Sequence, residues 1–183
     1  MRCGDLIPFA DCIFNTNLTM TTIIKANKEH CPLIQSMAKI VFPHTYAEIL
    51  SSEQIDYMME WMYSEESLIK QMDEGHIYFI AFDGEMPLGY ASVQQEGEHD
   101  FHLQKTYIMP QSQGQGVGRE LLLHVEMFVR QMYLAPWTLR LNVNRNNRAK
   151  GFYEQLGFAI ETSGDFDIGN GFYMNDYIMV KQL

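Results

Sequence analysis

The sequence predicts one α+β (mixed α/β) layered domain, and three observations carry that prediction. The chain has 183 residues, one domain's length at the usual ~100–200 residues per domain. Runs of period two interleave with segments of helical period, in the order strand, helices, strands, helix, strand, helix, strands. No repeat, low-complexity stretch or interdomain linker interrupts them. The ordered domain is expected over 20–183, beginning near Met20. Residues 1–19 keep neither period and read as an N-terminal extension or a start assigned too far upstream.

The elements follow in order. Thr22–Ala26 is a short β-branched strand, and Asn27 is placed to cap the helix after it. Leu33, Met37 and Ile40 stand at helical spacing, so a helix is expected over 28–42, stopped by Pro43. Ser51 and Ser52 offer caps for a second helix, whose Ile55, Met58, Met59 and Met62 form an apolar stripe best read as core. Ser64–Met72 predicts a further short helix. His76–Phe82 and Leu88–Gln94 read as strands joined through Asp83-Gly84, a strong hairpin signal, and Phe101–Ile108 as another strand. Val117–Met132 places Leu121, Leu122, Val125, Phe128, Val129 and Met132 on one helical side. Trp137–Val143 alternates as a strand, and Asn147–Leu156 is a helix closed by Gly157. Phe158–Thr162 and Gly171–Gln182 complete the strands.

Composition removes several classes of function. The longest apolar run, Ile77–Phe82, is six residues, far short of the ~18 of a membrane helix. Thirteen basic residues against 23 acidic ones give a net charge of −10, the wrong sign for a nucleic-acid or anionic-membrane binder. Cys3, Cys12 and Cys31 form neither a disulfide framework nor a zinc-ligand spacing, so a reduced, cytoplasmic compartment is expected and no metal. The N-terminus does not read as a signal peptide, because Asp5, Pro8 and Asp11 interrupt any apolar segment.

The densest chemical signal is Gln113-Gly114-Gln115-Gly116-Val117-Gly118-Arg119, between a strand and a helix. Glycines there admit a ligand close to the backbone, and the first N–H groups of the helix lack partners. With the helix dipole they make an anion site suited to phosphate. A Walker A loop fails because Arg119-Glu120 follows Gly118, and a dinucleotide fingerprint lacks its last glycine. Charge agrees with an anionic ligand: residues 105–150 hold seven bases and two acids, against six bases and 21 acids elsewhere. Arg140, Arg145, Arg148 and Lys150 read equally well as a solvated face.

The loop is followed by Asn146-Asn147-Arg148-Ala149-Lys150-Gly151-Phe152-Tyr153-Glu154-Gln155-Leu156-Gly157-Phe158. Together the two segments resemble the GCN5-related N-acetyltransferase superfamily. Its Gln/Arg-x-x-Gly-x-Gly/Ala signature is matched by Gln113, Gly116 and Gly118. Its second half is matched by Asn146, Ala149, Phe152, Tyr153, Gly157 and Phe158. The resemblance runs from about Met20 to the C-terminus. The tail 171–179 and Thr45-Tyr46 look most like the bacterial spermidine/spermine branch. The resemblance implies a central mixed, mostly antiparallel sheet, splayed at the acetyl-CoA site and flanked by helices. It implies acetyl-CoA as co-substrate, held by Tyr107, Ile108, Gln113, Gly114, Gln115, Gly116, Val117, Gly118, Arg119, Asn146 and Arg148. A backbone N–H near Ile108 would polarise the thioester carbonyl. Tyr153 becomes the candidate general acid, and hydrogen bonding is its more defensible role, since a phenol near ~10 facing a thiol near ~8.5 makes full transfer uphill by about 2 kcal/mol.

The base is where the chain departs from that pattern, with His102 and Gln104 standing where many relatives carry glutamate. An imidazole is mostly neutral at pH 7 and can take a proton, so His102 is a candidate catalytic base; water chains to Glu96, Glu98 or Asp100 are equally open. Between His44 and Glu74 stand eight acids and one base. Asp56 and Glu60 share a helix face near Tyr57, and with Tyr46 they are the candidate acceptor contacts, an acidic, aromatic-edged mouth fit for a polyamine or another small cationic amine. A protein N-terminus or lysine as acceptor, and a non-catalytic coenzyme A sensor, are the rival readings. Neither the acceptor nor the oligomeric state, monomer or homodimer, is fixed by the sequence.

Overall fold

The computed structural model describes residues 21–132 and 136–183. The N-terminal extension, Cys3, Cys12 and the expected start at Met20 lie outside them. The elements are β1 (Thr22–Lys25), α1 (Cys31–Tyr46), α2 (Ser52–Tyr63), α3 (Glu65–Asp73), β2 (Ile77–Asp83), β3 (Met86–Gln95), β4 (Asp100–Ile108), α4 (Val117–Met132), β5 (Thr138–Asn144), α5 (Ala149–Gln155), β6 (Ala159–Gly169) and β7 (Phe172–Gln182). The strands form one sheet in the order β1-β2-β3-β4-β5-β7-β6, antiparallel throughout except between β4 and β5. No helix among the described residues is long and apolar enough to cross a membrane.

Period-two alternation splits the core between the two sheet faces. Phe79 and Ala81 of β2 pack with Leu121, Leu122, Val125 and Val129 of α4, while Tyr78 and Ile80 pack with α1, α2 and α3. Side chains cap three of the starts, although α1 itself begins at Cys31 and not at residue 28. Asn27 accepts from the N–H of Glu29 at 3.1 Å, ahead of a single 3-10 turn over Lys28–His30, and Ser51 and Ser64 accept from Gln54 and Ser67. Gly84 turns the hairpin between β2 and β3 with φ 56°.

Three of the boundaries that differ from the sequence expectation have a visible cause. Pro43 does not end α1, which runs on to Tyr46. Burial of Phe42 and Tyr46, with ring centroids 4.6 Å apart, holds the extra turn, and the Thr45 hydroxyl donates to the Val41 carbonyl at 2.7 Å. The helix expected from Asn147 starts at Ala149, because the Asn147 side chain accepts from the Ala149 N–H at 2.9 Å. The strand expected over 158–162 continues to Gly169 as the long edge strand β6, held by its pairing to β7 rather than by burial.

The feature that positions the site is the end of β4–β5 pairing. The parallel ladder runs only from Asp100↔Thr138 to Leu103↔Leu141. Past that point β4 stays with β3 while β5 stays with β7, and a wedge opens between them. A bulge sits at the split: Ser92 pairs with Lys105 and Val93 with Leu103, leaving Gln104 as the extra residue. Such a bulge re-aims the strand after it. Hence Leu103 packs toward α4, whereas Lys105 turns to the α1–α3 face and reaches Gln71 Oε1 at 2.6 Å.

Gly89 lets β3 run close to the open stretch of β4. A Cβ there would stand 2.5 Å from the Tyr107 carbonyl oxygen and 3.0 Å from the Ile108 Cα. Gly89→Ala therefore forces β4 away from β3 and should lower stability by about 1–3 kcal/mol, the usual cost of overpacking. Urea unfolding measures it; an unchanged midpoint would mean that the two strands can separate freely here.

Candidate active site

The wedge is the floor of a cavity of about 910 Å³, of the size that ligand sites occupy. One wall is β4 from Leu103 to Ile108, and the opposite wall is Asn142 and Val143 of β5 with Asn146, Asn147 and Arg148. The glycine loop and the start of α4 close one end, and His44, Thr45 and Tyr46, carried there by the turn of α1 past Pro43, close the other.

At the loop end, Gly114 and Gly116 take φ of 75° and 90°, and nothing lies within 4 Å of where a Cβ would stand on either. The loop is thus a bare backbone cradle at the N-terminus of α4. Gly118 serves a different purpose. A Cβ there would come within 3.3 Å of the Phe152 ring and 3.5 Å of Ile108, so this glycine packs α4 onto α5 and β4. Gln113 donates to the Ile108 carbonyl at 3.2 Å, tying the loop to the strand. Met109 donates its N–H to Leu88 on β3 at 2.8 Å, so strand alternation turns the Ile108 N–H the other way, into the wedge. A strand-like ligand would find its donor there.

Of the eleven residues named for the cofactor, Tyr107, Ile108, Gln113, Gly114, Gly116, Val117, Gly118, Arg119, Asn146 and Arg148 line this cavity. Gln115 does not; its side chain donates to the Gln111 carbonyl at 2.8 Å. The basic stretch is divided. Arg119 and Arg148 face the cavity, whereas Arg140 pairs with Asp100 and Glu161, Arg145 with Asp165 and Lys150 with Glu154.

Tyr153 lines the cavity from α5, and burial pushes its phenol up to about 12, with the neighbouring Thr106 hydroxyl opposing the shift. Tyr46 also lines the cavity. Burial raises its phenol, Tyr107 and Asn147 oppose the shift, and the Asp176 carboxylate adds to it.

The remaining named residues stand elsewhere. His102 lies in the paired, closed part of β4, ~20 Å along the strand from Ile108 at about 3.3 Å per residue. Its Nδ1 is 2.9 Å from Glu96 Oε1, which also accepts from Gln104, and it does not line the cavity. Asp56 and Glu60 line a separate groove of about 350 Å³ between α1 and α2, beside Lys39. The Tyr57 hydroxyl donates to the Ile168 carbonyl at 2.7 Å, which fixes α2 to the β6–β7 hairpin. Asp56 and Glu60 thus face another groove, while Tyr46 and Glu48 of the same acidic stretch line the cavity.

Two buried groups near the wedge escaped the sequence reading. Lys105 is pulled down to about 7 by burial, beneath the rings of Tyr63 and Tyr78. Asp176 of β7 pairs in register with Asn144 and is 5% exposed. One carboxylate oxygen lies 3.5 Å from the Asn142 amide nitrogen, and the other is buried with no hydrogen-bond partner among the described residues. Burial pushes this carboxyl up to about 6, against the pull of Asn142 and Arg145.

Cavity, loop and splayed sheet belong to one known class. Residues 46–180 match the model of the acetyltransferase (GNAT) domain family, and the chain belongs to that family. It is 35% identical over 100 residues to an uncharacterized N-acetyltransferase of Mycobacterium tuberculosis, covering 52% of this chain and 60% of the relative. It is 30% identical over 104 residues to the peptidyl-lysine N-acetyltransferase YjaB of Salmonella typhimurium, covering 56% and 63%. The match thus spans less than two thirds of these relatives' length. Among solved structures, the PaiA N-acetyltransferase from Thermoplasma acidophilum, crystallised with coenzyme A, superposes with a TM-score of 0.75 at 25% identity, over 89% of this chain and 99% of that one.

The buried Asp176 makes a stability prediction with a definite sign. Folding raises this carboxyl from 3.8 to about 6, so the folded state holds the proton more tightly. The cost is full above about pH 6 and absent below about pH 4. Asp176→Asn should therefore stabilise the fold at pH 8, by up to ~3 kcal/mol at 1.36 kcal/mol per unit, and the gain should shrink toward pH 4. Urea midpoints at several pH values measure it. A variant no more stable than wild type at pH 8 would mean that the carboxylate is already satisfied.

Proposed function

We propose that the protein is an acetyl-CoA-dependent N-acetyltransferase, which moves an acetyl group onto a primary amine by direct attack in a ternary complex. The observation that carries this reading is the wedge between β4 and β5, with the bare glycine cradle at its end. A long thin ligand with phosphates at one end fits that combination: amides of 113–118 with Arg119 and Arg148 for the phosphates, and the open edge of β4 for an extended arm. The coenzyme A complex of the Thermoplasma relative supports the same ligand here. When bound, acetyl-CoA supplies an acetyl group already activated as a thioester.

The chain's own residues then have separable tasks. The Ile108 N–H, fixed by β3 pairing, donates to the carbonyl oxygen as negative charge grows on it. Tyr153 faces the departing sulfur. With its phenol near 12 against a thiol near ~8.5, full proton transfer is uphill by about 5 kcal/mol, so Tyr153 donates a hydrogen bond and keeps its proton. His102 can contribute as a base only through water, from outside the cavity.

The acceptor is a cationic primary amine. Small amines, polyamines included, form the first reading, and the similarity to a peptidyl-lysine acetyltransferase favours a lysine side chain as the second. Acetyl-CoA turnover, read by free-thiol release over spermidine, simple alkyl amines and lysine peptides, separates them. Release with none of these would favour a coenzyme A sensor.

Two substitutions test the parts. Gly116→Asp places a carboxylate in the cradle at a φ of 90°, and it should weaken coenzyme A binding by about 10–100-fold, the worth of hydrogen bonds to charged groups, while the protein stays folded. Equal affinity by calorimetric titration would remove the loop from the site. Tyr153→Phe keeps the ring packed and should lower kcat by about 10–100-fold with little change in coenzyme A affinity. Unchanged single-turnover rates would return Tyr153 to a purely packing role.

A further inference from the structure

The acceptor amine must lose a proton before it attacks, and none of the carboxylates that the sequence offered for this lies in the cavity wall. We propose that Asp176 is the carboxylate that receives the acceptor's ammonium group and takes its proton, with Asn142 and Tyr46 as the flanking contacts. The inference rests on the acetyltransferase reading above and names the acceptor end of the same site.

Position supports it first. β5 pairs with β7 as far as Asn144↔Asp176, while β4 has already left β5 at Leu141. Asp176 therefore lies level with the open part of the wedge. Alternation puts it on the face of Asn142 and Asn144, opposite the face where Leu139, Leu141 and Val143 join the α4 core. Asn142 and Tyr46 line the cavity, and Asp176 stands against Asn142, one side chain behind the wall.

Chemistry supports it second. A carboxylate buried to 5% exposure with one oxygen unpartnered is costly to keep, and such groups call for an occupant that supplies donors. An ammonium group supplies three. The Asn142 contact, at 3.5 Å, is a weak hydrogen bond, and Asn142 is exposed, so its side chain is free to turn away from the carboxylate as an acceptor enters. On the other elements around Asp176 stand Asn144 on β5, Arg145 just beyond it and already paired with Asp165, the Tyr46 phenol on α1, and Gly164 opposite in register on β6. Arg145 is the one cation among them, and its pairing leaves the Asp176 oxygen for an incoming cation. Burial holds the carboxyl near 6, a better proton acceptor than an ordinary aspartate yet ionised at neutral pH.

The step balances. The ammonium nitrogen gives one proton to Asp176 and becomes neutral. Its lone pair forms the C–N bond at the thioester carbonyl as the C–S bond breaks. A second proton on that nitrogen passes to the departing thiolate, giving free thiol and amide, and Asp176 returns its proton to solvent as product leaves.

The test combines turnover with a binding readout. For wild type, kcat/KM toward spermidine or a lysine peptide should rise with pH through about 6 as Asp176 ionises. Asp176→Asn, similar in shape and uncharged, should bind coenzyme A as wild type does. It should lose that limb and about 100-fold or more in kcat/KM, within the range of a general base. The same loss with the limb intact, or wild-type kinetics, overturns the proposal. The second readout is the Asp176 carboxyl resonance in carbon-labelled protein saturated with coenzyme A, assigned against the variant. Added spermidine should lower its titration midpoint, as a neighbouring cation does. That shift without turnover of any amine would keep the ammonium site and remove the acetyltransferase reading; turnover without the shift would do the reverse.

Discussion

The structure depends on a failure of pairing. Two parallel strands, β4 and β5, join over four residues and then part, although both continue. Each leaves backbone N–H and C=O groups without strand partners, which a fold tolerates only when something else satisfies them. The rest of the molecule keeps that split open. The bulge at Gln104 turns β4 just as the ladder ends, Gly89 lets β3 hold β4 at close range, and β7 keeps hold of β5 on the far side. Below the gap, α4 and α5 pack together through Gly118 and Phe152, which brings the glycine cradle and Tyr153 to the same opening.

The wedge also explains the tyrosines. Tyr46, Tyr63, Tyr90 and Tyr107 crowd the α1–α3 side of the split, with ring centroids of Tyr90 and Tyr107 at 5.7 Å and of Tyr63 and Tyr107 at 6.5 Å. Burial raises all four phenols, so they stay neutral and contribute polarity without charge. These rings pack the α1–α3 face beside the split, and Gln104's bulge adds the buried Lys105 to the same layer. Burial holds this lysine down to about 7, and its hydrogen bond goes to the neutral Gln71 amide oxygen.

What was legible in the sequence was local. The glycine loop, the Phe152-Tyr153 helix closed by Gly157, the serine caps and the Asp83-Gly84 turn each rest on a few adjacent residues, and each stands where the spacing put it. What was not legible depends on register. Whether Lys105 faces the α4 core or the α1–α3 layer is decided by one extra residue in β4, and no period in the sequence marks it. Pro43 reads as a stop until the burial of Phe42 and Tyr46 outweighs one missing hydrogen bond. Asp56 and Glu60 do share a helix face, but that face meets α1 and not the cavity, which only packing decides. Asp176 had no local signal, because its place beside the wedge comes from a strand that returns from the end of the chain.

The two sides of the split thereby acquire opposite electrostatic characters. On the α4 side, free helix amides and two arginines favour an anion, with no carboxylate in the loop itself. On the β7 side, the nearest buried charge is a carboxylate with an empty oxygen, while Arg140, Arg145 and Lys150 are each tied to an acidic partner. The chain's excess of acid is therefore no obstacle to a phosphate ligand, because the neutralised bases leave a small positive cradle inside an acidic surface. On the reading proposed above, an anionic carrier and a cationic acceptor would each find its own side of the split. Between the two sides lie the Ile108 N–H and the Tyr153 phenol, both uncharged at neutral pH and both placed by the parting of β4 from β5.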